Sequence, residues 1–415
     1  MYELAIALGF LLFLLAAIYK HEWGIYLIIL GLPSYQIRFQ IFGIPATFLE
    51  GMILILAAVQ LVAIIKNRQL LSKIKLFSLD NLFILLFLLA AGISIFVAPD
   101  TAKAAGIFKA YFFEAVLFYF LVRAITDSKD KREKLFQSLA LLAAYLSIFG
   151  LYQFLTLSRL PASWWGVEIA TRRIISLLNH PNGLALVLGP ILAMLIIRQP
   201  KTKLAWAAIA FGLPAFYLTL SRAGWLSLVI VIAGVSLFGE HRKKIIAAAA
   251  AAVVLVMLIP FSRGEVLELL QPADPSKENR YVLWSAAADI LKKHPITGVG
   301  LTGFRESYKA YPLGPDRVVQ NYPHNFFLTF WTETGLLGLL SIIGLLILFT
   351  KKIYKIISSP LRGEDKGGGG KNYALAIAAG MAMIVLHSLV DVSYFKNDLA
   401  VLFWLVFALP FIVSV

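Results

Sequence analysis

The chain is 415 residues long, 60% hydrophobic and only 15% charged, with a mean hydropathy of +0.81; this excludes an ordinary soluble domain and points to a polytopic helical membrane protein. Cysteine is absent, which excludes a disulfide framework, a thiolate metal site and a cysteine nucleophile. The net charge of +15 lies mostly in short loops between apolar runs, and no basic, aromatic-interleaved domain is present to read a nucleic acid.

In chain order the apolar runs predict spans near 3–19, 23–38, 44–65, 79–97, 103–125, 133–157, 181–198, 203–220, 222–238, 243–260, 324–350, 372–390 and 398–414, twelve or thirteen in all. The first is preceded by Glu3 and followed by Lys20, the reverse of a signal peptide's order, and is read as a span. The second is short and interrupted by Gly31 and Pro33, so a bent or re-entrant segment is expected. The expected fold is an all-α integral membrane bundle forming one domain over 1–415. Its N-terminal spans occupy 1–160 and its C-terminal spans 372–415.

Charge sets the sidedness. Lys66, Arg68, Lys73 and Lys75 fill one loop; Lys129, Lys131, Arg132 and Lys134 fill another. Arg198, Lys201 and Lys203, then Arg242, Lys243 and Lys244, fill two more, and the last runs from Lys351 to Lys371 through Gly367–Gly370. These alternate with the spans and read as cytoplasmic. Outside lie the turns near Pro99-Asp100, Arg159 to Asn179, Ser221-Arg222, a large loop over 261–323, and Asp391 to Asn397. Between Phe261 and Tyr322 the large loop balances eight basic against seven acidic side chains.

Within that loop, Glu278 to His294 predicts an amphipathic helix with Tyr281, Leu283, Trp284, Ala287, Ala288 and Leu291 on one face. Lys292 and Lys293 suit its C-terminus. Pro295 ends it, and Gly298, Gly300 and Gly303 make a turn before Phe304. Such a helix lies on the membrane surface, lids a cavity, or simply packs on the bundle.

The outer face also gathers the residues that carry chemistry. Gln320 to Gly338 passes from a polar turn through Pro323 into a long apolar helix. Pro suits a helix start, which puts His324 in the first turn at the water–lipid boundary. There it is either an interfacial cap or a group titrating near neutrality against a lipid-borne substrate. Arg172 and Arg173 precede Ser176 and the turn His180-Pro181-Asn182-Gly183. Arg222 sits between two spans that barely leave the membrane, where it either snorkels or holds an anion. Two guanidinium forks converging there suit a phosphate or pyrophosphate.

No D-x-D, H-E-x-x-H, G-x-S-x-G or acidic cluster accompanies them, so no metal site and no serine hydrolase is expected. Asp391 and Asp398 flank the last outer turn, far in sequence from the other elements. Glu114 and Glu333 are the main charges inside spans. Nine residues beyond His324, Glu333 falls on the opposite face of an unbroken helix and about 13 Å deeper. That makes it either a structural partner for a polar neighbour or a functional group.

Four motifs in order carry a resemblance: R-x-x-S-x-x-N-H-P-N-G-L-A from Arg173, L-S-R-A-G-W from Leu220, H-P-I-T-G-V-G-L-T-G-F from His294, and P-H-N-F-F-L-T-F-W-T-E-T-G-L-L-G from Pro323. Over 173–340 the chain resembles the O-antigen ligase and polymerase superfamily of bacterial envelope proteins. The resemblance implies a GT-C-like glycosyltransferase of the bacterial inner membrane with its active site facing the periplasm. The implied reaction moves a glycan from a polyprenyl-diphosphate carrier to an acceptor hydroxyl, on a lipid A-core in ligases or on another glycan in polymerases.

By the same resemblance Arg173 and Arg222 grip the diphosphate and His324 activates the acceptor, while Asn325, Arg280, Asn182 and Arg172 orient substrate; no cofactor or metal is implied. The residues alone agree that Arg can neutralise a diphosphate leaving group and that His can serve as base. Direct attack would invert the anomeric centre, since no nucleophilic carboxylate stands ready. The rival reading is an anion or inorganic-carbon transporter, which shares short, Gly/Pro-interrupted spans but calls for a polar route through the midplane.

Overall fold

The computed structural model describes residues 2–41, 43–67, 78–239, 242–258, 263–264, 275–311, 319–358 and 369–412. Arg68, Lys73, Lys75, Gly367 and Gly368 of the expected cytoplasmic loops lie outside the described residues, as does much of the outer loop before residue 275. Every apolar run carries a helix. They are α1 (Tyr2–Tyr19), α2 (His21–Leu30), α3 (Phe48–Lys66), α4 (Leu79–Val97), α5 (Thr101–Ile107), α6 (Glu114–Ile125) and α7 (Lys129–Thr156). Beyond them come α8 (Pro181–Arg198), α9 (Lys203–Tyr217), α10 (Arg222–Ser236) and α11 (Arg242–Leu258). The outer loop contributes α12 (Pro275–Lys293) and α13 (Gly303–Lys309), and α14 (Phe326–Ser358), α15 (Gly369–His387) and α16 (Asn397–Ala408) complete the bundle.

Among the described residues seven helices, with α5–α6 taken as one through the π-helical turn Phe108–Phe113, are long and apolar enough to cross a membrane. The protein is a polytopic all-α membrane protein. Side-chain periodicity decides which helices sit at the centre. α8 is apolar all round and 83% buried over its spanning window, against 17% for α1, as expected for an inner and an outer helix respectively. α8 packs on α15, α9 on α7, α4 on α14 and α6 on α16. α16 is buried throughout and sets Phe403, Trp404 and Phe407 into an aromatic cluster with Phe330, Tyr119 and Tyr394.

Three local features depart from the sequence reading. The second span does break at Gly31-Pro33, but it continues as a 3₁₀ turn (Leu32–Gln36) into an antiparallel hairpin, β1 (Arg38–Ile41) and β2 (Ile44–Thr47), which was read as span ends. Apolar residues at Phe39, Ile41 and Ile44 disguise it. Thr47 then caps α3 in a box with Glu50. On α12, Leu283, Ala287 and Leu291 are buried as expected, but Tyr281 is exposed and Ala286 replaces Ala288 on the inner face.

The third departure is at Pro323, which does not open a helix. α14 starts at Phe326, Asn325 caps it by accepting from Leu328 N–H at 3.1 Å, and His324 lies in the preceding turn with φ +51°. His is among the few non-glycine residues that visit the left-handed region with any frequency, though at a cost.

α14 is also interrupted. Gly335 (φ +69°) breaks it, and the Gly298–Gly303 turn wedges into the break. Val299 N–H donates to Thr332 O at 2.8 Å and Leu336 N–H to Ile296 O at 2.9 Å. A Cβ at Gly335 would lie 2.4 Å from Ile296 O, and one at Gly298 (φ +63°) 2.4 Å from Thr332 O, so neither position tolerates a side chain. Glu333 completes the joint. Its carboxylate, fully buried, accepts from Thr302 N–H at 2.5 Å and Phe304 N–H at 3.1 Å. The structural reading of Glu333 is therefore the one its contacts support.

Candidate active site

The turn after α15 organises one end of the bundle, where five successive residues hold α10, the start of α14, α12 and the segments of Asn182 and His324. His387 Nε2 lies 3.2 Å from Ser221 Oγ, the N-cap of α10. Ser388 O accepts from Phe326 N–H at 2.8 Å, and Leu389 O accepts from Asn325 Nδ2 at 2.9 Å, which ties down the start of α14. Val390 O accepts from Arg280 Nε at 3.1 Å, docking the outer helix α12. Asp391 accepts from Asn182 Nδ2 at 2.9 Å, from His324 Nδ1 at 3.3 Å and from Val392 N–H at 2.8 Å.

Asp391 is thus the residue that sequence reasoning missed as a site residue. Burial alone would raise its carboxyl, but the hydrogen bond and charge of His324, with His387 nearby, hold it well below the usual carboxylate range. Its side chain is 10% exposed whereas that of His324 is 34% exposed. The pair therefore has a buried anchor and an accessible end. With Nδ1–H given to Asp391, Nε2 is the ring nitrogen left to other partners, and it lies 3.4 Å from Gln320 Oε1, a contact whose direction depends on the tautomer. A short polar residue beside a membrane turn was the one available signal for Asp391.

Arg173 and Arg222 come together as expected. Arg173 donates through Nε to Thr219 O at 2.8 Å and through Nη2 to Asn182 Oδ1 at 2.7 Å, with its guanidinium 5.5 Å from the Trp164 ring centre. Thr219 belongs to the turn that Leu220 (φ +50°) bends sharply before Ser221 and Arg222. Arg173, Arg222, Arg280, Asn182 and Asp391 all line one cavity of about 660 Å³, so three guanidinium groups face one carboxylate.

An apolar groove continues this cavity between α10 and α15. It shares Ile230, Leu386 and Leu389 with it and runs on past Gly234 and Val385.

Two of the expected orienting residues are placed elsewhere. Arg172 donates to Phe154 O at 2.5 Å and to Trp165 O at 3.3 Å, and it does not line the cavity. Asn325 is spent on capping α14 and tethering Leu389. His180, the N-cap of α8, accepts from Asn182 N–H at 3.1 Å. Burial, and then the positive charge of Arg173, lower its pKa, which keeps the ring neutral and able to accept. Among the described residues no group of three His, Asp or Glu is placed to share a metal ion.

No curated protein matches the chain. A family model described as O-Antigen ligase matches residues 207–343. The match takes in Arg222, Arg280, the Gly298–Gly303 wedge and His324, and it leaves Arg173, Asn182 and Asp391 to be joined to them by the fold alone. Through this segment the chain is similar to the O-antigen ligase family, which supports a place in the O-antigen ligase-like superfamily.

Proposed function

We propose that the protein is a membrane glycosyltransferase of ligase or polymerase type that takes its glycan from a polyprenyl diphosphate. The observation that carries this reading is the joining of a three-arginine cavity to an apolar groove beside the His324–Asp391 pair. A donor with an anionic head and a long apolar tail fits both parts at once, which a water-soluble nucleotide sugar does not. The diphosphate would lie against Arg173, Arg222 and Arg280, whose forks match its oxygens and neutralise the charge that develops on it as it leaves.

In the proposed step His324 Nε2 takes the proton of an acceptor hydroxyl, which displaces Gln320 from that nitrogen. The oxygen attacks the anomeric carbon of the donor glycan. The new C–O bond forms as the bond to the diphosphate breaks, with inversion, and polyprenyl diphosphate departs. Asp391 holds the ring with Nε2 toward the acceptor and stabilises the imidazolium that results, the part a carboxylate plays beside a catalytic His elsewhere. The periplasm is the proposed side, from the alternation of basic loops.

The test uses full-length protein in nanodiscs and farnesyl diphosphate as the head-and-tail probe. Arg173→Lys and Arg222→Lys should each weaken its binding by about 1.5–3 kcal/mol, because a point charge cannot replace the fork. Transfer should continue in excess EDTA. Unchanged binding in both variants, or activity that only added Mg²⁺ restores after EDTA, would overturn the assignment of charge neutralisation to the arginines.

A further inference from the structure

A second cavity of about 1030 Å³ is lined by residues close in sequence to Asn182, His324 and Asp391. Three segments link it to the first cavity and its neighbourhood, and two of them present residues to both cavities. Asn182 faces the arginine cavity while Asn179, three residues before it, faces the second; Asp391 faces the first and Lys396 the second. The third segment supplies Asn321 and Tyr322 to the second cavity, and His324, two residues on, is bonded to Asp391 of the first. The hairpin of β1 and β2, which the apolar-run pattern concealed, forms the far side.

The lining of this cavity is mostly apolar, with four cations, Arg38, Lys103, Lys109 and Lys396, and several amides set into it. Lys109 is held by Glu50 at 2.6 Å and lies 3.6 Å from Glu114, so its charge is matched within the bundle. Glu50 also accepts from Asn397 Nδ2 at 2.7 Å. Arg38 and Lys103 are exposed at the mouth, and the Lys396 ammonium lies 4.6 Å from the Tyr35 ring centre and 3.5 Å from Asp398. Tyr35 donates its hydroxyl to Asn179 Oδ1 at 3.1 Å, and Tyr35 and Tyr322 both line the cavity. Amides and aromatic faces beside cations suit a sugar ring bearing a negative group, and the volume exceeds the usual span of about 300–1,000 Å³ for small-ligand sites.

We propose that this second cavity is the acceptor site, and that it takes a sugar carrying a phosphate or a carboxylate. The proposal rests on the transfer reading above and deepens it. His324 is bonded to Asp391 of the first cavity and lies two residues from Tyr322 of the second, so its ring can take the proton of a hydroxyl delivered from the second cavity toward a donor held in the first. A short reaction distance requires the acceptor oxygen and the anomeric carbon to meet beside that ring.

Because the natural chain has no cysteine, single thiols report each cavity separately. Ala102→Cys marks the second cavity and Ala223→Cys the first, with labelling by a water-soluble maleimide followed in nanodiscs. Glucosamine 6-phosphate or glucuronate should slow labelling at position 102 by about tenfold when present at about ten times its Kd. Neither should protect position 223, and neutral glucosamine should protect neither site.

Farnesyl diphosphate should give the opposite pattern. Adding Arg38→Ala and Lys103→Ala to Ala102→Cys should abolish protection by the anionic sugar. Protection by the phosphate alone identifies a phosphorylated sugar, and protection by glucuronate alone an acidic one. Protection by neither anion, equal protection by glucosamine, or protection that survives the double substitution would overturn the proposal. If farnesyl diphosphate fails at position 223 while the sugar still protects position 102, the donor reading falls and the second site stands.

Discussion

Glu333 and Asp391 are both buried carboxylates near the outer end of the bundle, and their partners give them opposite work. Glu333 accepts only from backbone N–H groups, those of Thr302 and Phe304, and locks the Gly298–Gly303 wedge into the break of α14. Asp391 accepts from two side chains, Asn182 and His324, which come from distant segments, and Asn182 lines the arginine cavity. A carboxylate closed on backbone fixes the fold. One closed on a half-exposed imidazole leaves a reactive atom, Nε2, facing outward. Burial and charge alone do not tell the two apart.

The comparison breaks most sharply at Glu333. Glu333→Ala leaves two buried N–H groups without an acceptor, a cost of about 2–6 kcal/mol at about 1–3 each. The expected outcome is loss of the monodisperse peak in size-exclusion chromatography. Glu333→Gln keeps one acceptor oxygen and should fall between. A Glu333→Ala protein that is stable but inactive would mean the carboxylate serves the chemistry after all.

His324→Ala comes next and should do the reverse. The protein should fold and bind farnesyl diphosphate as before, while single-turnover transfer falls by about 10²–10⁴-fold, as for loss of a general base. Wild-type transfer would return His324 to a mere turn residue.

How much of this the sequence disclosed follows from the range of each interaction. The helices, and the nearness of Arg173 to Arg222, could be read because hydropathy and charge are local and repeat along the chain. The partner of His324 could not be, since Asp391 lies 67 positions away and only the packing of α15 against α8 and α10 brings Asn182 and Ser221 to the same turn. The role of Glu333 was hidden by treating α14 as unbroken, although Gly335 stood two residues on. Arg172 and Arg173 look alike in sequence, yet the extended backbone sends one to Phe154 O and the other to Asn182.

Asp391→Asn sharpens the comparison with a smaller change. The amide keeps an oxygen for His324 Nδ1–H but loses the charge that favours the imidazolium. Transfer should drop by about 1–1.5 kcal/mol, the difference a charged partner makes to a hydrogen bond. Folding should lose some stability as well, since one accepting oxygen and the charge are lost, but less than in Glu333→Ala. Equal destabilisation by the two substitutions would erase the distinction between the carboxylates.

The smallest effect separates Asp391 from its neighbour His180 by pH. Arg173, Asp391, Lys396 and His324 all act on His180, and burial followed by Arg173 sets the direction, downward from 6.5. As pH falls below about 6.5 the unfolded chain takes up this proton first, so the folded state loses stability down to the lowered pKa and loses nothing above 6.5. Asp391 has the opposite sign pattern. Its depressed pKa gives stability that is present above 3.8 and lost only as pH falls below that value. Between pH 7 and 5 the carboxylate therefore contributes a constant amount, while His180 must give up the lone pair that accepts from Asn182 N–H when it is protonated. His180→Asn keeps an acceptor suited to an N-cap but does not titrate. It should retain the wild-type Tm at pH 7.5 to within a few degrees and flatten the fall in Tm between pH 7 and 5. An unchanged slope would place the titrating group elsewhere in the cluster and leave His180 as a cap without a pH role.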